Sequence, residues 1–172
     1  MRAKAVANAN IALIKYWGKR DGALKLPDVG SISVTLDGLK TTTEVSFEAD
    51  ADEDTFVLGG EVRPTEAKRV SLYLDTIRNL AGIKTRARVV SDNNFPTGAG
   101  LASSASGFAA LAMAATKAAG LNLSLEELSV LARQGSASAA RSLFGGFVEM
   151  LRGEREDGRD AHAIALADAE AW

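Results

Sequence analysis

The chain has 172 residues, with 20 Lys and Arg against 22 Asp and Glu, and a formal charge of −2. That near-balance excludes a general electrostatic affinity for nucleic acid or an anionic lipid surface. With no cysteine and one histidine, the composition also excludes a disulfide framework, a thiolate metal site and a histidine-rich metal site.

The first 60 residues read mostly as strands. Lys4 to Ile14 is apolar with small polar interruptions. Ser31 to Leu36 alternates with period two, as a half-buried strand does. Asp37-Gly38 is a hairpin signal, and Thr41 to Phe47 resumes β character. The acidic stretch Glu48 to Asp54 reads as a solvated loop. Thr55 to Leu58 and Glu61 to Arg63, joined by Gly59-Gly60, form a further hairpin. Val70, Tyr73, Leu74, Ile77 and Leu80 recur at helical spacing from about Thr65, and Gly82 ends that run. Thr85 to Val90 is a strand, followed by a turn-rich segment from Ser91 to Gly100.

A small-residue helix is expected from Leu101 to Ala119. Ser124 to Glu127 is a capping box opening a helix from Leu125 to about Gln134. A second short helix covers Ser138 to Leu143, and Phe147 to Leu151 is a strand. Arg152 to Asp160 is a charged loop, and His162 to Leu166 forms a last strand. The mixed order predicts an α+β fold, a mixed or antiparallel sheet backed by helices, rather than regular βαβ repetition. The chain is read as one domain, 1–172. No window supplies the roughly 18 apolar residues of a membrane-spanning helix, and Met1 to Asn10 lacks a cleavable signal design. A cytoplasmic location is the expectation, with neither membrane nor nucleic acid as partner.

Three segments carry chemistry. In Pro96-Thr97-Gly98-Ala99-Gly100-Leu101-Ala102-Ser103-Ser104-Ala105 a strand leads in and a helix leads out. Glycines let the backbone approach a ligand and aim successive amides at one point. Free N–H groups at a helix start favour an anion, and Ser103 or Ser104 can reach phosphate oxygen or Mg²⁺. The same segment also serves as a tight turn before a helix packed on a sheet. Lys15 to Asp21 places Tyr16 and Lys19 where a strand leaves the core; a lysine there meets a phosphate or carboxylate as a point charge, or belongs to a basic surface turn. In Arg133 to Ser142, Ser136 can cap the helix that carries Arg141, and Ser138 and Arg141 share a face at i and i+3. An arginine beside two hydroxyls seats a carboxylate or a diphosphate; the plainer reading is a capped helix with a solvated arginine. His162, the lone histidine, is not read as catalytic: a hydrolase would want a Gly-x-Ser-x-Gly nucleophile elbow, which Ser104-Ala105-Ser106-Gly107 does not supply because residue 102 is alanine.

Together these motifs resemble the diphosphomevalonate decarboxylases of the GHMP kinase superfamily. The superfamily phosphate loop, Pro-x-x-x-Gly-Leu-x-Ser-Ser-Ala, is complete at Pro96, Gly100, Leu101, Ser103, Ser104 and Ala105. The decarboxylase branch is marked by the runs Asn10 to Asp21 and Arg133 to Phe147. The resemblance implies a GHMP-type N-terminal domain, of the ribosomal protein S5 domain 2-like fold, with the C-terminal domain and its catalytic aspartate outside this chain. It implies ATP-dependent decarboxylation of 5-diphosphomevalonate to isopentenyl diphosphate, with ATP and Mg²⁺ required and a homodimer in full-length members. By the same resemblance, Pro96, Gly98, Ala99, Gly100, Leu101, Ala102, Ser103 and Ser104 hold the nucleotide phosphates, with Asn93 and Asn94 along its pocket. Ser103 or Ser104 reaches the Mg²⁺. Tyr16, Lys19, Ser136, Ser138 and Arg141 hold the substrate, Lys19 in a supporting catalytic role. A related enzyme acting on phosphomevalonate or mevalonate, or an inactive nucleotide- or diphosphate-binding fragment, are the readings left open. In a fragment, apolar surface is expected to be exposed around Phe144, Phe147 and Trp172.

Overall fold

The computed structural model describes residues 1–15, 18–96 and 100–171. Two long strands organise it. β1 (Arg2–Ile14) runs antiparallel along β4 (Ser31–Glu48), from Arg2 opposite Ser46 to Ile14 opposite Ile32. The Asp37-Gly38 hairpin is therefore corrected: β4 is continuous there, and residues 36–39 bulge opposite Ala9 alone. The chain does not reverse because β1 pairs with both halves of β4. Amide side chains collect the bulge carbonyls: Asn8 Nδ2 donates to Leu36 O (3.2 Å) and Asp37 O (3.3 Å), and Asn94 Nδ2 to Gly38 O (2.9 Å).

On the other edge of β4, its two halves take different partners. β7 (Arg86–Asn93) pairs with Thr41–Glu48, and β8 (Phe147–Met150) with Ser31–Val34, both antiparallel. Beyond β7 lie β5 (Thr55–Leu58), the parallel neighbour, and β6 (Glu61–Val62). Beyond β8 lies β9 (Ala163–Ala167). β7 extends three residues past the expected strand, since Ser91, Asp92 and Asn93 pair with Thr43, Thr42 and Thr41 instead of turning. A separate short pair, β2 (Lys19–Asp21) and β3 (Leu26–Pro27), was not expected from pattern. Its turn is closed by Asp21, whose Oδ1 accepts the Leu24 N–H at 2.7 Å. The α+β expectation holds: among the described residues the sheet is mixed, with helices packed against it.

α1 (Pro64–Ala81) buries Val70, Tyr73, Leu74 and Ile77, while Leu80 at the end of the run is exposed. Gly82 closes it in the left-handed conformation (φ 65°), its N–H donating to Arg78 O. α2 (Ser103–Ala118) buries alanines at 105, 109, 110, 112, 114, 115 and 118, and the short side chains let it lie close on β1 and β4. α3 (Leu125–Gly135) begins with the expected capping box: Ser124 Oγ accepts the Glu127 N–H (3.2 Å) and Glu127 Oε2 accepts the Ser124 N–H (2.8 Å). The segment after it is a 3₁₀ helix, Ala137–Leu143, rather than an α-helix. No helix among the described residues is long and apolar enough to cross a membrane.

An alternating strand ordinarily turns its apolar set inward. In β4 the apolar set goes inward only near the end, at Val45 and Phe47; Ser31, Ser33, Thr41 and Thr43 are the buried residues before it, and Ile32 and Val34 are half-buried. The exposed apolar side chains also differ from expectation. Phe144 and Phe147 are half-buried, Trp172 lies outside the described residues, and Val6, Ile11, Leu13 and Ile14 of β1 are exposed.

The acidic loop is not uniformly solvated. The Asp54 side chain is 3% exposed and receives both terminal nitrogens of the buried Arg78 (3.0 and 2.9 Å), the Ser71 hydroxyl and the Ala87 N–H (2.7 Å). Burial alone would raise the Asp54 carboxyl, but the hydrogen bonds from Arg78, Ser71 and Ala87 outweigh it and hold it below its ordinary value. A carboxyl depressed in the folded state stabilises above its unfolded value, about 3.9, and that contribution disappears as pH falls through the folded value. Asp54→Ala should cost about 1.5–3 kcal/mol at neutral pH by removing the charge-assisted hydrogen bonds from Arg78, which keeps its contact with Asp75 (2.6 Å). The loss should shrink in acid; denaturant unfolding of both proteins at neutral pH and near pH 3 checks both statements.

Candidate active site

The site is built where the polar half of β4 meets the starts of α2 and the 3₁₀ helix. Thr41 sits at its centre, hydrogen-bonded through Oγ1 to Asn93 Oδ1 and to the buried Ser106 hydroxyl, both at 2.6 Å. Asn93 ends β7 and Ser106 lies in the first turns of α2, so this hydroxyl ties the two segments flanking the 96–105 loop. Thr43, the next inward-facing residue, bonds the Ser91 hydroxyl of β7 (2.7 Å). A cavity of about 200 Å³ opens beside them, lined by Thr41, Asn93, Ser103, Ser104 and Gly107, with Phe56, Leu58, Val70 and Phe108 as its apolar wall.

Of the residues expected to hold a nucleotide, the structure thus gathers Asn93, Ser103 and Ser104 on one cavity. Asn94 is not among its lining residues; its side chain is engaged with Gly38 O and the Lys40 N–H (2.7 Å). Gly98 and Ala99 lie outside the described residues. Pro96, Gly100 and Leu101 are exposed and Ala102 half-buried. Gly100 (φ 76°) and Ala102 (φ 56°) both adopt the left-handed conformation, and a Cβ on Gly100 would meet nothing within 4 Å. A non-glycine residue is seldom found there, so the chain enters α2 through a strained turn. No side chain caps the start of α2. Its first N–H groups therefore face the loop without a protein acceptor from a cap, the arrangement a phosphate fits.

The second cluster lies around the 3₁₀ helix. Arg141, 3% exposed, donates from Nε to Ser33 Oγ (3.0 Å), from one terminal nitrogen to Ser31 Oγ (2.7 Å) and from the other to Asn10 Oδ1 (3.4 Å). Asn10 in turn donates to Ser142 Oγ (2.7 Å) and Ser138 O (3.1 Å). The solvated-arginine reading is corrected: the strand serines turned inward on β4 form the seat for this guanidinium. Ser136 does not cap the 3₁₀ helix through its side chain; its hydroxyl lies 3.4 Å from that of Ser138, both residues half-buried. Lys19 is exposed on β2, and Tyr16 lies outside the described residues.

Between the clusters, cations collect at the end of α3. Lys25 Nζ donates to the carbonyls of Gln134 and Gly135, and Arg69 donates to Gly135 O (2.9 Å) while stacking 4.5 Å over the Phe108 ring. Burial first, then the neighbouring charges of Arg69 and Lys19, lower the Lys25 ammonium below its ordinary value.

Residues 7–163 match the family model described as the diphosphomevalonate decarboxylase-like N-terminal domain. The chain belongs to this family. It is 45% identical over 184 residues to the diphosphomevalonate decarboxylase of Saccharomyces cerevisiae, covering 99% of this chain and 46% of that protein. The mevalonate diphosphate decarboxylase from Enterococcus faecalis superposes with a TM-score of 0.92 at 46% identity, covering 97% of this chain and 52% of that one. A solved complex of MDDEF with MVAPP, AMPPCP and magnesium superposes with a TM-score of 0.90 at 46% identity, covering 97% and 51%. The chain spans about half the length of the curated relatives it matches.

Sequence reasoning missed Asn10, Ser31, Ser33, Thr41, Ser106, Lys25 and Arg69 as parts of the site. The signal available for the hydroxyls was their own alternation, Ser31 and Ser33, then Thr41 and Thr43. Lys25 and Arg69 gave none, because each reaches the site across a distance in sequence that no local pattern encodes. Phe108 is the common wall, and Gly135 is glycine because of it: an added Cβ would stand 2.8 Å from Phe108 Cγ. Gly135→Ala should displace the ring and cost about 1–3 kcal/mol. Thermal or denaturant unfolding checks this, and near-ultraviolet circular dichroism reports the ring.

Proposed function

We propose that this chain is the nucleotide- and substrate-binding part of an ATP-dependent diphosphomevalonate decarboxylase. The reaction converts (R)-5-diphosphomevalonate and ATP to isopentenyl diphosphate, ADP, phosphate and carbon dioxide, within isoprenoid biosynthesis. The observation that carries the reading is the pairing of a hydroxyl-rimmed cavity at the start of α2 with the buried guanidinium seat beside it, in a chain matched to the family over residues 7–163. The α+β fold class, with the family match over residues 7–163, supports it.

ATP with Mg²⁺ supplies the phosphoryl group that turns the tertiary hydroxyl, a poor leaving group, into a good one. The chain's own residues position and stabilise. Amides from Gly98 to Ala105 and the hydroxyls of Ser103 and Ser104 hold the nucleotide phosphates, one of the two serines reaching the metal. Asn93 lines the base of that cavity. On the substrate side Ser136, Ser138, Tyr16 and Lys19 take the diphosphomevalonate, and Arg141 offers planar two-point hydrogen bonding fixed in advance by Ser31, Ser33 and Asn10. Preorganised donors of this kind need no reordering as charge develops, which is where phosphoryl transfer gains most of its rate. The site is expected to work in the cytoplasm.

Calorimetric titration of the chain with magnesium–nucleotide and with diphosphomevalonate tests the reading directly; absence of both affinities would refute it. Gly100→Val should weaken the magnesium–nucleotide complex, because a β-branched residue resists the left-handed conformation of that turn. Unchanged nucleotide affinity would remove the loop from the site. Arg141→Lys keeps the charge but loses the planar fork. Loss of a charge-assisted hydrogen bond is worth about 1.5–3 kcal/mol, so diphosphomevalonate should bind roughly tenfold or more weakly, with nucleotide affinity retained.

A further inference from the structure

Lys25 stands in the β2–β3 turn with a left-handed backbone (φ 52°), a conformation that costs a non-glycine residue about 1 kcal/mol or more. The turn brings its ammonium onto the last carbonyls of α3, where Gly135 O already accepts from Arg69. Two cations thus converge on one neutral oxygen, with Lys19 as a third charge close enough to perturb Lys25. No ion pair to a carboxylate relieves Lys19, Lys25 or Arg69 among the described residues. Beside them opens a cavity of about 530 Å³. Lys25, Lys68, Arg69, Thr65 and Thr76 line it, and no Asp or Glu does. Tyr73 lines it too, 6% exposed, its hydroxyl without a hydrogen-bond partner among the described residues.

A carbonyl oxygen satisfies a donor but does not neutralise a charge, and an anion placed beside like charges relieves their repulsion. Gly135 lines the cavity and the next residue is Ser136, so its edge lies one residue along the chain from the proposed substrate hydroxyls. We propose that Lys25 is a specificity residue that reads the terminal phosphate of the substrate and separates a diphosphate ester from a monophosphate ester. A ligand seated on Ser136, Ser138 and Arg141 extends its outer phosphate into this cavity; a monophosphate stops short of it. The inference rests on the function proposed above and adds the group that chooses between the two phosphorylated forms.

The plainer role for Lys25 is to cap α3. Lys25→Gln separates the two, since the glutamine amide still donates to a carbonyl but carries no charge. Calorimetry on the 172-residue chain with diphosphomevalonate, 5-phosphomevalonate, inorganic pyrophosphate and a magnesium–nucleotide complex provides the readout. Lys25→Gln should weaken diphosphomevalonate about tenfold, the scale of one charge-assisted hydrogen bond. It should leave monophosphate and nucleotide affinity nearly unchanged, and Lys25→Arg should restore the preference. Equal weakening of both mevalonate phosphates, or no weakening, overturns the role of Lys25 while the proposed function stands. Lys25-dependent binding of pyrophosphate by a chain that ignores diphosphomevalonate keeps the anion site and overturns the substrate reading. A wild-type chain that binds none of these anions overturns both.

Discussion

The buried face of β4 changes chemistry along its length, and the site depends on that change. Val45 and Phe47 join the apolar core under α1 and α2. Thr43, Thr41, Ser33 and Ser31 continue the same inward-facing row as hydroxyls. Each of these buried groups would cost about 1–3 kcal/mol if left without a partner. Each has one: Ser91, Ser106 with Asn93, and the Arg141 guanidinium for the two serines. One strand therefore supplies the hydrophobic anchor at one end and, at the other, fixes the two segments flanking the phosphate-type loop and orients the buried arginine. The bulge at residues 36–39 separates the two serines from the two threonines, and both pairs are buried.

A second constraint is the disposal of carbonyl oxygens that no ladder satisfies. Cationic side chains take them. Arg133, fully buried on α3, donates to Leu24 O (3.1 Å), Gly158 O (2.8 Å) and Ala161 O, while Arg20 on β2 donates to the carbonyls of Arg152, Gly153 and Arg155. These two arginines bind the β2–β3 hairpin, the 152–161 loop and α3 into one unit. Burial first, then the nearby charge of Arg20, pushes the Arg133 guanidinium down to about 10, still charged at neutral pH. Lys19 sits on that hairpin beside Arg20, so its position is inherited from carbonyl contacts made by its neighbour.

The sequence made the framework legible where local pattern and tertiary demand agree. The α1 period, the Gly82 stop, the capping box at Ser124 and the 55–62 hairpin all appear as read, because each is decided within a few residues. The Asp37-Gly38 turn failed because the side-chain amides of Asn8 and Asn94 donate to the carbonyls there, and long-range pairing with β1 overrides a local hairpin signal. Arg141 was legible as a site residue through its motif, but its burial was not, since the serines that receive it lie about a hundred residues away in sequence. Asp54 looked like one acid among several in a solvated loop. What distinguishes it is Arg78, and a salt bridge formed across a fold leaves no local signature.

Phe108 links the two cavities. Its ring packs edge-on to Tyr73 at 5.4 Å between centroids, carries the Arg69 guanidinium on its face, and stands against Gly135 at the end of α3. Both the cavity at the start of α2 and the cationic cavity beyond α3 include Phe108 and Arg69 in their walls. A guanidinium held over an aromatic face by about 0.5–2 kcal/mol is placed firmly but not locked. The same ring therefore closes both cavities, and Arg69, fixed on its face and to the Gly135 carbonyl, belongs to both walls.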